Sequence, residues 1–161
     1  MPDGRVAAIY IGPEEAGPLD AVAEVRAVAG AGLEGDRYFV GRGNKSDRPS
    51  PGRQVTLIER EAIEAAARDH GVVLALGDPR RNIVTEHVAL NHLVGREFAV
   101  GEARFRGVKL CEPCSYVAKL IGDKRVVKAL IHRGGLNAEI VTSGTVRVGD
   151  RVAAAAPPPT G

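Results

Sequence analysis

The stretch Ala103-Arg-Phe-Arg-Gly-Val-Lys-Leu110 sets Ala103 and Phe105 against Arg104 and Arg106, and then changes phase after Gly107. Apolar and charged residues alternating with period two predict a strand with one face in a core and the other in water. A glycine at the phase change signals a bulge, which bends strands in barrels. Outward from this stretch, Val6–Ile11, Glu24–Val28, Val55–Ile58, Ile83–Thr85, Glu97–Val100, Ala138–Val141 and Arg151–Ala153 read as further short strands. Thr142-Ser-Gly-Thr145 and Val148-Gly-Asp150 read as turns between short strands. Helices are few. Glu59–Asp69 carries Ile63, Ala66 and Ala67 on one face and stops at Gly71, and Ser115–Ile121 and Arg125–Ile131 read as two short ones. Many strands and few helices, in no regular alternation, predict a mainly β, barrel-like fold with a few short helices.

A chain of 161 residues fits one domain with a real core. We place that domain at residues 1–152 and expect 153–161, Ala-Ala-Ala-Ala-Pro-Pro-Pro-Thr-Gly, to be a disordered tail. Lys and Arg number 22 against 20 Asp and Glu, a formal net charge of +2, with no basic tail or one-sided cluster. That argues against nucleic acid as a partner. Local groups, Arg37–Arg42–Lys45–Arg48–Arg53 and Arg80–Arg81, suit a small anionic ligand. No apolar run approaches a membrane span and no signal segment is visible, so no membrane association and a cytoplasmic location are expected.

Gly30-Ala-Gly-Leu-Glu-Gly35 matches the dinucleotide fingerprint in letters. The fingerprint works only when a helix follows to hold pyrophosphate, and Asp36–Asn44 has no helical face. We read these glycines instead as part of a flexible loop presenting Arg37 and Lys45. The longer segment Gly30–Arg53 reads as a mobile lid, with residues around 41–52 among the most mobile.

Cys111-Glu-Pro-Cys114 admits four readings. Structural zinc needs four ligands, and the chain offers two cysteines and four histidines, with His87 and His92 upstream. A thioredoxin-like redox pair needs a βαβ setting, which is missing here. Two buried thiols at a strand end are the plain alternative, favoured for Cys111. An activated thiol is favoured for Cys114, which follows Pro113 and precedes the expected helix at Ser115.

The chain resembles the MOSC family, the domain also found at the C-terminus of molybdenum-cofactor sulfurases. The resemblance is carried by Gly32-Leu-Glu-Gly-Asp-Arg-Tyr38, Arg53-Gln-Val-Thr-Leu-Ile58, Arg80-Arg-Asn-Ile-Val84, Leu93–Gly101, Cys111–Cys114, His132-Arg-Gly-Gly135 and Ser143–Asp150, in that order. It implies a β-barrel-like MOSC fold and a cleft for the molybdenum cofactor, a pterin (molybdopterin) with a dithiolene and a phosphate. It also implies Cys114 as the residue that carries sulfur or holds molybdenum. Arg80 and Asn82 match positions that contact the pterin or its phosphate; for Arg81, Arg37 and Arg53 the match rests mainly on charge. Guanidinium forks suit phosphate, and a carboxamide suits a pterin edge. For Asn82 a backbone cap at a strand start is the alternative.

The implied function is a sulfur carrier or sulfurtransferase delivering a Cys114 persulfide to the cofactor. The alternatives are a cofactor-dependent reductase of N-hydroxylated compounds and a non-enzymatic cofactor-binding module. The sulfurases carry a pyridoxal-phosphate desulfurase module for which this chain has no segment. The expected partners are therefore a separate cysteine desulfurase or an electron donor, and a molybdoenzyme.

Overall fold

A computed structural model describes residues 4–14, 17–37, 39, 54–113 and 115–154, with the backbone alone at 115–117. The strands are β1 (Gly4–Ile11), β2 (Asp20–Ala21), β3 (Glu24–Val28), β4 (Gly32–Leu33), β5 (Val55–Glu59), β6 (Ile83–Glu86), β7 (Glu97–Val100), β8 (Ala103–Leu110), β9 (Leu136–Thr142), β10 (Gly144–Arg147) and β11 (Arg151–Ala154). Among the described residues the helices are α1 (Arg60–His70), α2 (Ser115–Ile121) and α3 (Arg125–Leu130), with a 3₁₀ turn at Leu90–Leu93.

Hydrogen bonding runs β11–β7–β8–β9–β5–β6–β1, and β1 pairs back to β11 through Gly4↔Val152 and Arg5↔Arg151. Seven strands thus close a barrel, which leaves no edge in that ring. Every neighbouring pair is antiparallel except β5 and β6, which are parallel and joined through α1, as a parallel pair requires a crossover. The expected alternation holds in β8: Ala103 and Phe105 are buried, and Arg104 and Arg106 are exposed. The register between β8 and β9 slips at Gly107, where the bulge was expected. A Cβ at Gly107 would run into the Leu93 carbonyl oxygen, so this position has to be glycine.

Inward-facing Val6, Ile9, Leu57, Phe98, Phe105 and Leu136 fill the barrel. The Phe98 and Phe105 rings meet edge to face, with centroids 5.8 Å apart, the favoured aromatic geometry. Ile58 and Val84 face outward yet are fully buried, because Ala62 and Ile63 of α1 cover them. A second layer joins α1, α2 and α3 through Ala66, Ala118, Val126 and Leu130. The three helices therefore form a lobe on the β5–β6 wall. Gly71 ends α1 in the left-handed conformation, φ 68°, and donates to the Ala67 carbonyl.

The glycine-rich segment departs from expectation. Gly32 and Leu33 pair with Val28 and Ala27, so Gly30 turns a β-hairpin instead of opening a flexible loop. With β10 this hairpin makes a three-stranded sheet whose Val25, Ala27, Leu33 and Val146 join the barrel core. Of the rest of the expected lid, residues 34–37 and 39 are described, and residues 38 and 40–53 lie outside the described residues. β11 extends through Ala154, so Ala153 and Ala154, expected in the tail, pair with Ala99 and Phe98; residues 155–161 lie outside the described set. Among the described residues no helix is long and apolar enough to cross a membrane.

Candidate functional site

Register brings the two informative motifs together. Leu110, Leu136, Leu57, Ile83 and Ile9 form one row across β8, β9, β5, β6 and β1. The cysteine segment leaves β8 just beyond Leu110. Arg80-Arg-Asn82 enters β6 just before Ile83, and the His132–Gly135 turn enters β9 just before Leu136. Three stretches far apart in sequence thus lie along one wall, beside the helical lobe.

Arg81 joins them. It is 7% exposed, and its guanidinium donates to three carbonyls: Nε to Gly134 at 2.8 Å, Nη1 to Pro79 at 3.2 Å and Nη2 to Cys111 at 3.2 Å. Glu112 ties the cysteine segment to the same turn from the other side. Its carboxylate accepts the His132 backbone N–H at 2.7 Å, and its other oxygen lies 3.1 Å from His132 Nδ1. The Cys111 N–H donates to the Gly135 carbonyl at 2.7 Å. Gly134 is where the two stretches touch: an added Cβ would sit 2.5 Å from the Cys111 carbonyl oxygen and 2.8 Å from Pro113 Cδ. Only glycine permits that approach.

Asn82 is 4% exposed and holds strands together. Its Oδ1 accepts from the Thr56 N–H at 3.0 Å and the Thr56 hydroxyl at 3.2 Å, and its Nδ2 donates to the Tyr10 carbonyl at 3.1 Å. The carboxamide thereby bridges β5 and β1 at the start of β6, the backbone role weighed for it from sequence.

Arg80 takes a partner that Arg81 does not share. It adopts a left-handed φ of 64°, and its Nη2 donates to the Gly17 carbonyl at 2.9 Å. It lines a cleft of about 370 Å³ with Tyr10, Leu19, Gly77, Asp78, Leu120 and Ile121, the last two from the end of α2. Arg37 sits nearby in the chain path. Its N–H donates to the Gly12 carbonyl at 2.7 Å, and its guanidinium lies 3.3 Å from the fully buried Asp36, which accepts the Gly12 N–H at 2.9 Å. Arg37 and Arg80 thus hold Gly12 and Gly17 of one connecting loop.

Cys114 and Arg53 lie outside the described residues; α2 begins at the residue after Cys114. Among the site residues, sequence reasoning gave no role to Glu112, His132, Gly134 or the cleft-lining Tyr10. The signal for the first three was present in His132-Arg-Gly-Gly135 and in Glu112 of Cys111-Glu-Pro-Cys114.

The family model described as MOSC domain matches residues 44–153. No curated protein matches the chain. Among solved structures, the YUAD protein of Bacillus subtilis superposes with a TM-score of 0.76 at 17% identity, covering 92% of this chain and 93% of its own. YiiM of Geobacillus stearothermophilus gives 0.69 at 14% identity, over 95% and 75% of the two chains. YiiM of Escherichia coli gives 0.67 at 17% identity, over 95% and 70%. At these identities the likeness establishes a shared fold.

Proposed function

This chain belongs to the MOSC domain family, and from that premise we propose that it is a sulfur carrier for the molybdenum cofactor, with Cys114 as the sulfur acceptor. The family is associated with that cofactor through the C-terminal domain of its sulfurases. What supports the finer reading is the meeting of Arg80-Arg-Asn82 with the cysteine segment, drawn together by the Arg81 to Cys111 hydrogen bond of 3.2 Å.

The residues present fit the cofactor as a substrate. The cleft's volume of about 370 Å³ lies in the range of small-ligand sites, and its wall mixes Tyr10, Leu19 and Ile121 with the Arg80 cation. A pterin ring suits the apolar wall, and its phosphate suits a guanidinium. In this reading Arg80, with Arg53, supplies charge to the ligand, while Arg37, paired with the buried Asp36, holds the Gly12 loop. Asn82 and Arg81 build the wall behind it. Cys114, loaded as a persulfide by a separate cysteine desulfurase, would yield its terminal sulfur and return to thiolate, with a small thiol reductant supplying the two electrons that bring that sulfur to the sulfide level.

The test is loading with a desulfurase and isotopically labelled cysteine, followed by transfer to cofactor. Cys114→Ser should lose labelling completely and keep the fold, because the exchange removes only the soft nucleophile. Equal labelling of both proteins would overturn the reading. Molybdenum retained in stoichiometric amount on the purified protein, with no labile sulfur, would replace it by the reductase or the binding module.

A further inference from the structure

One rim of the cleft beside Arg80 is built by two successive turns between α1 and β6. The Asp78 N–H donates to the Ala75 carbonyl at 3.0 Å, and the Arg80 N–H donates to the Gly77 carbonyl at 3.0 Å. Three contacts brace these turns. Pro79 is buried, and its carbonyl accepts from Arg81 Nη1 at 3.2 Å. The Tyr10 ring lies against Gly77, where an added Cβ would stand 3.0 Å from Cε1, 3.2 Å from Cζ and 3.3 Å from Cδ1. Asp78 closes the first turn with its own side chain, Oδ2 accepting the Ala75 N–H at 2.8 Å. A rim held in this way is set before a ligand arrives, so its polar groups lose little freedom on binding.

The turn also decides what Asp78 has to offer. One carboxylate oxygen is held by Ala75, and Oδ1 makes no hydrogen bond or ion pair among the described residues. Asp78 is exposed and lines the same cleft as Arg80, Tyr10 and Leu19. An ionised carboxylate only accepts hydrogen bonds, and a guanidinium only donates them. A ligand that uses both must carry an anionic group at one end and N–H donors at the other. A pterin with a phosphate does so, because its aminopyrimidinone edge presents an amino group beside a ring N–H. Closing the turn is the plain role for Asp78, since aspartate is favoured in turns for that bond. That role uses Oδ2 alone and leaves the second oxygen for the cleft.

We propose that Asp78 is the specificity-determining residue of this cleft. Its Oδ1 accepts an N–H from the aminopyrimidinone edge of a bound pterin, while Arg80 meets the anionic end. The inference rests on reading the cleft as the cofactor site, and its test needs neither Cys114 nor sulfur.

The full-length protein is titrated with carboxypterin and with carboxylumazine, and binding is read from the ligand's own fluorescence. The two share a ring system and a carboxylate, and differ at one carbon that bears an amino group in the first and an oxo group in the second. Wild type should bind carboxypterin about tenfold more tightly, because an amino group is bonded by a carboxylate that would repel an oxo group. Asp78→Asn is the deciding variant. The Ala75 N–H still requires an acceptor, so the carboxamide oxygen takes that place and its NH2 is left for the cleft. The preference should then reverse, with carboxylumazine bound about tenfold more tightly. An Asp78 that only closes the turn would leave the preference where it was, because asparagine closes the turn as well. Should Asp78→Asn fail to fold, Asp78→Ser, which keeps an acceptor and loses the charge, should bring the two affinities together. Equal affinities in wild type, or a preference unchanged in the variant, would overturn the proposal. Failure of wild type to bind carboxypterin would overturn it together with the cofactor reading of the cleft, whereas sulfur loading of Cys114 is decided by labelling alone. Guanosine monophosphate offers the same kind of edge, and carboxypterin should bind more tightly than it does; the opposite order would overturn the pterin assignment in favour of a guanine nucleotide.

Discussion

Arg80 and His132 share an uncommon feature, left-handed backbone at a residue with a side chain, φ 64° and 63°. Such a conformation costs an L-residue about 1–2 kcal/mol, and it persists where surrounding structure holds it in place. At Arg80 the side chain is the compensation, since it reaches Gly17 and the cleft. Arg80→Gly relieves the strain at the usual entropic cost of glycine, about 0.5–1 kcal/mol. The variant should melt within a few degrees of wild type and bind molybdopterin about ten- to a hundredfold more weakly, the loss expected for one charge-assisted hydrogen bond. Calorimetry of both proteins checks this; unchanged affinity would move the site away from Arg80. Residue types were legible in the sequence here, and their partners were not. Arg80 and Arg81 are adjacent and equally charged, yet one lines a cleft and the other clamps carbonyls of Gly134 and Cys111. The partners each takes lie 30 to 63 residues away in sequence, and no local pattern records that.

At the scale of elements, periodicity was informative wherever a strand has one wet face. β8 and β7 have the boundaries expected from alternation, and α1 differs by one residue at each end. The two-residue strands β2 and β4 carry no period at all, so only their pairing reveals them. The junction of β5 and α1 holds a group whose titration is informative. Glu59 accepts the Leu90 N–H at 3.1 Å, and burial, helped by the nearby Glu61 charge, raises its carboxyl above the ordinary range against the opposing pull of Leu90 and His92. A carboxyl raised in the folded state contributes stability below its unfolded pKa, and that contribution is lost as pH rises through the folded value. At neutral pH the charge is therefore a liability. Glu59→Gln keeps an acceptor for Leu90 and removes the charge, so it should raise the midpoint of thermal unfolding at pH 7. It should also flatten the dependence of stability on pH just above the usual carboxylate range. A variant less stable than wild type at pH 7 would show that the charged bond to Leu90 outweighs the desolvation.

For the molecule as a whole, the β1–β11 pairing is what turns a curled sheet into a closed barrel. Val152 of β11 is buried in the same core as Val6 and Ile9 of β1, so losing the strand opens the ring and uncovers that core. A version ending at Asp150 should lose its cooperative unfolding transition, and one ending at Ala154 should keep it. Similar melting of the two would mean that the ring's closure adds little. The barrel was legible from the count and spacing of strands; its closure was not, because Gly4↔Val152 joins residues with nearly the whole sequence between them. That separation has a consequence in time. During synthesis β1 is made first among the described strands and its partner β11 last. Until Arg151–Ala154 has been added, β1 presents an unsatisfied edge beside apolar Val6 and Ile9, the kind of edge that invites pairing with another chain. Contacts so distant in sequence also make folding slow. The nascent protein should therefore depend on holding factors at the ribosome far more than the finished barrel does after release.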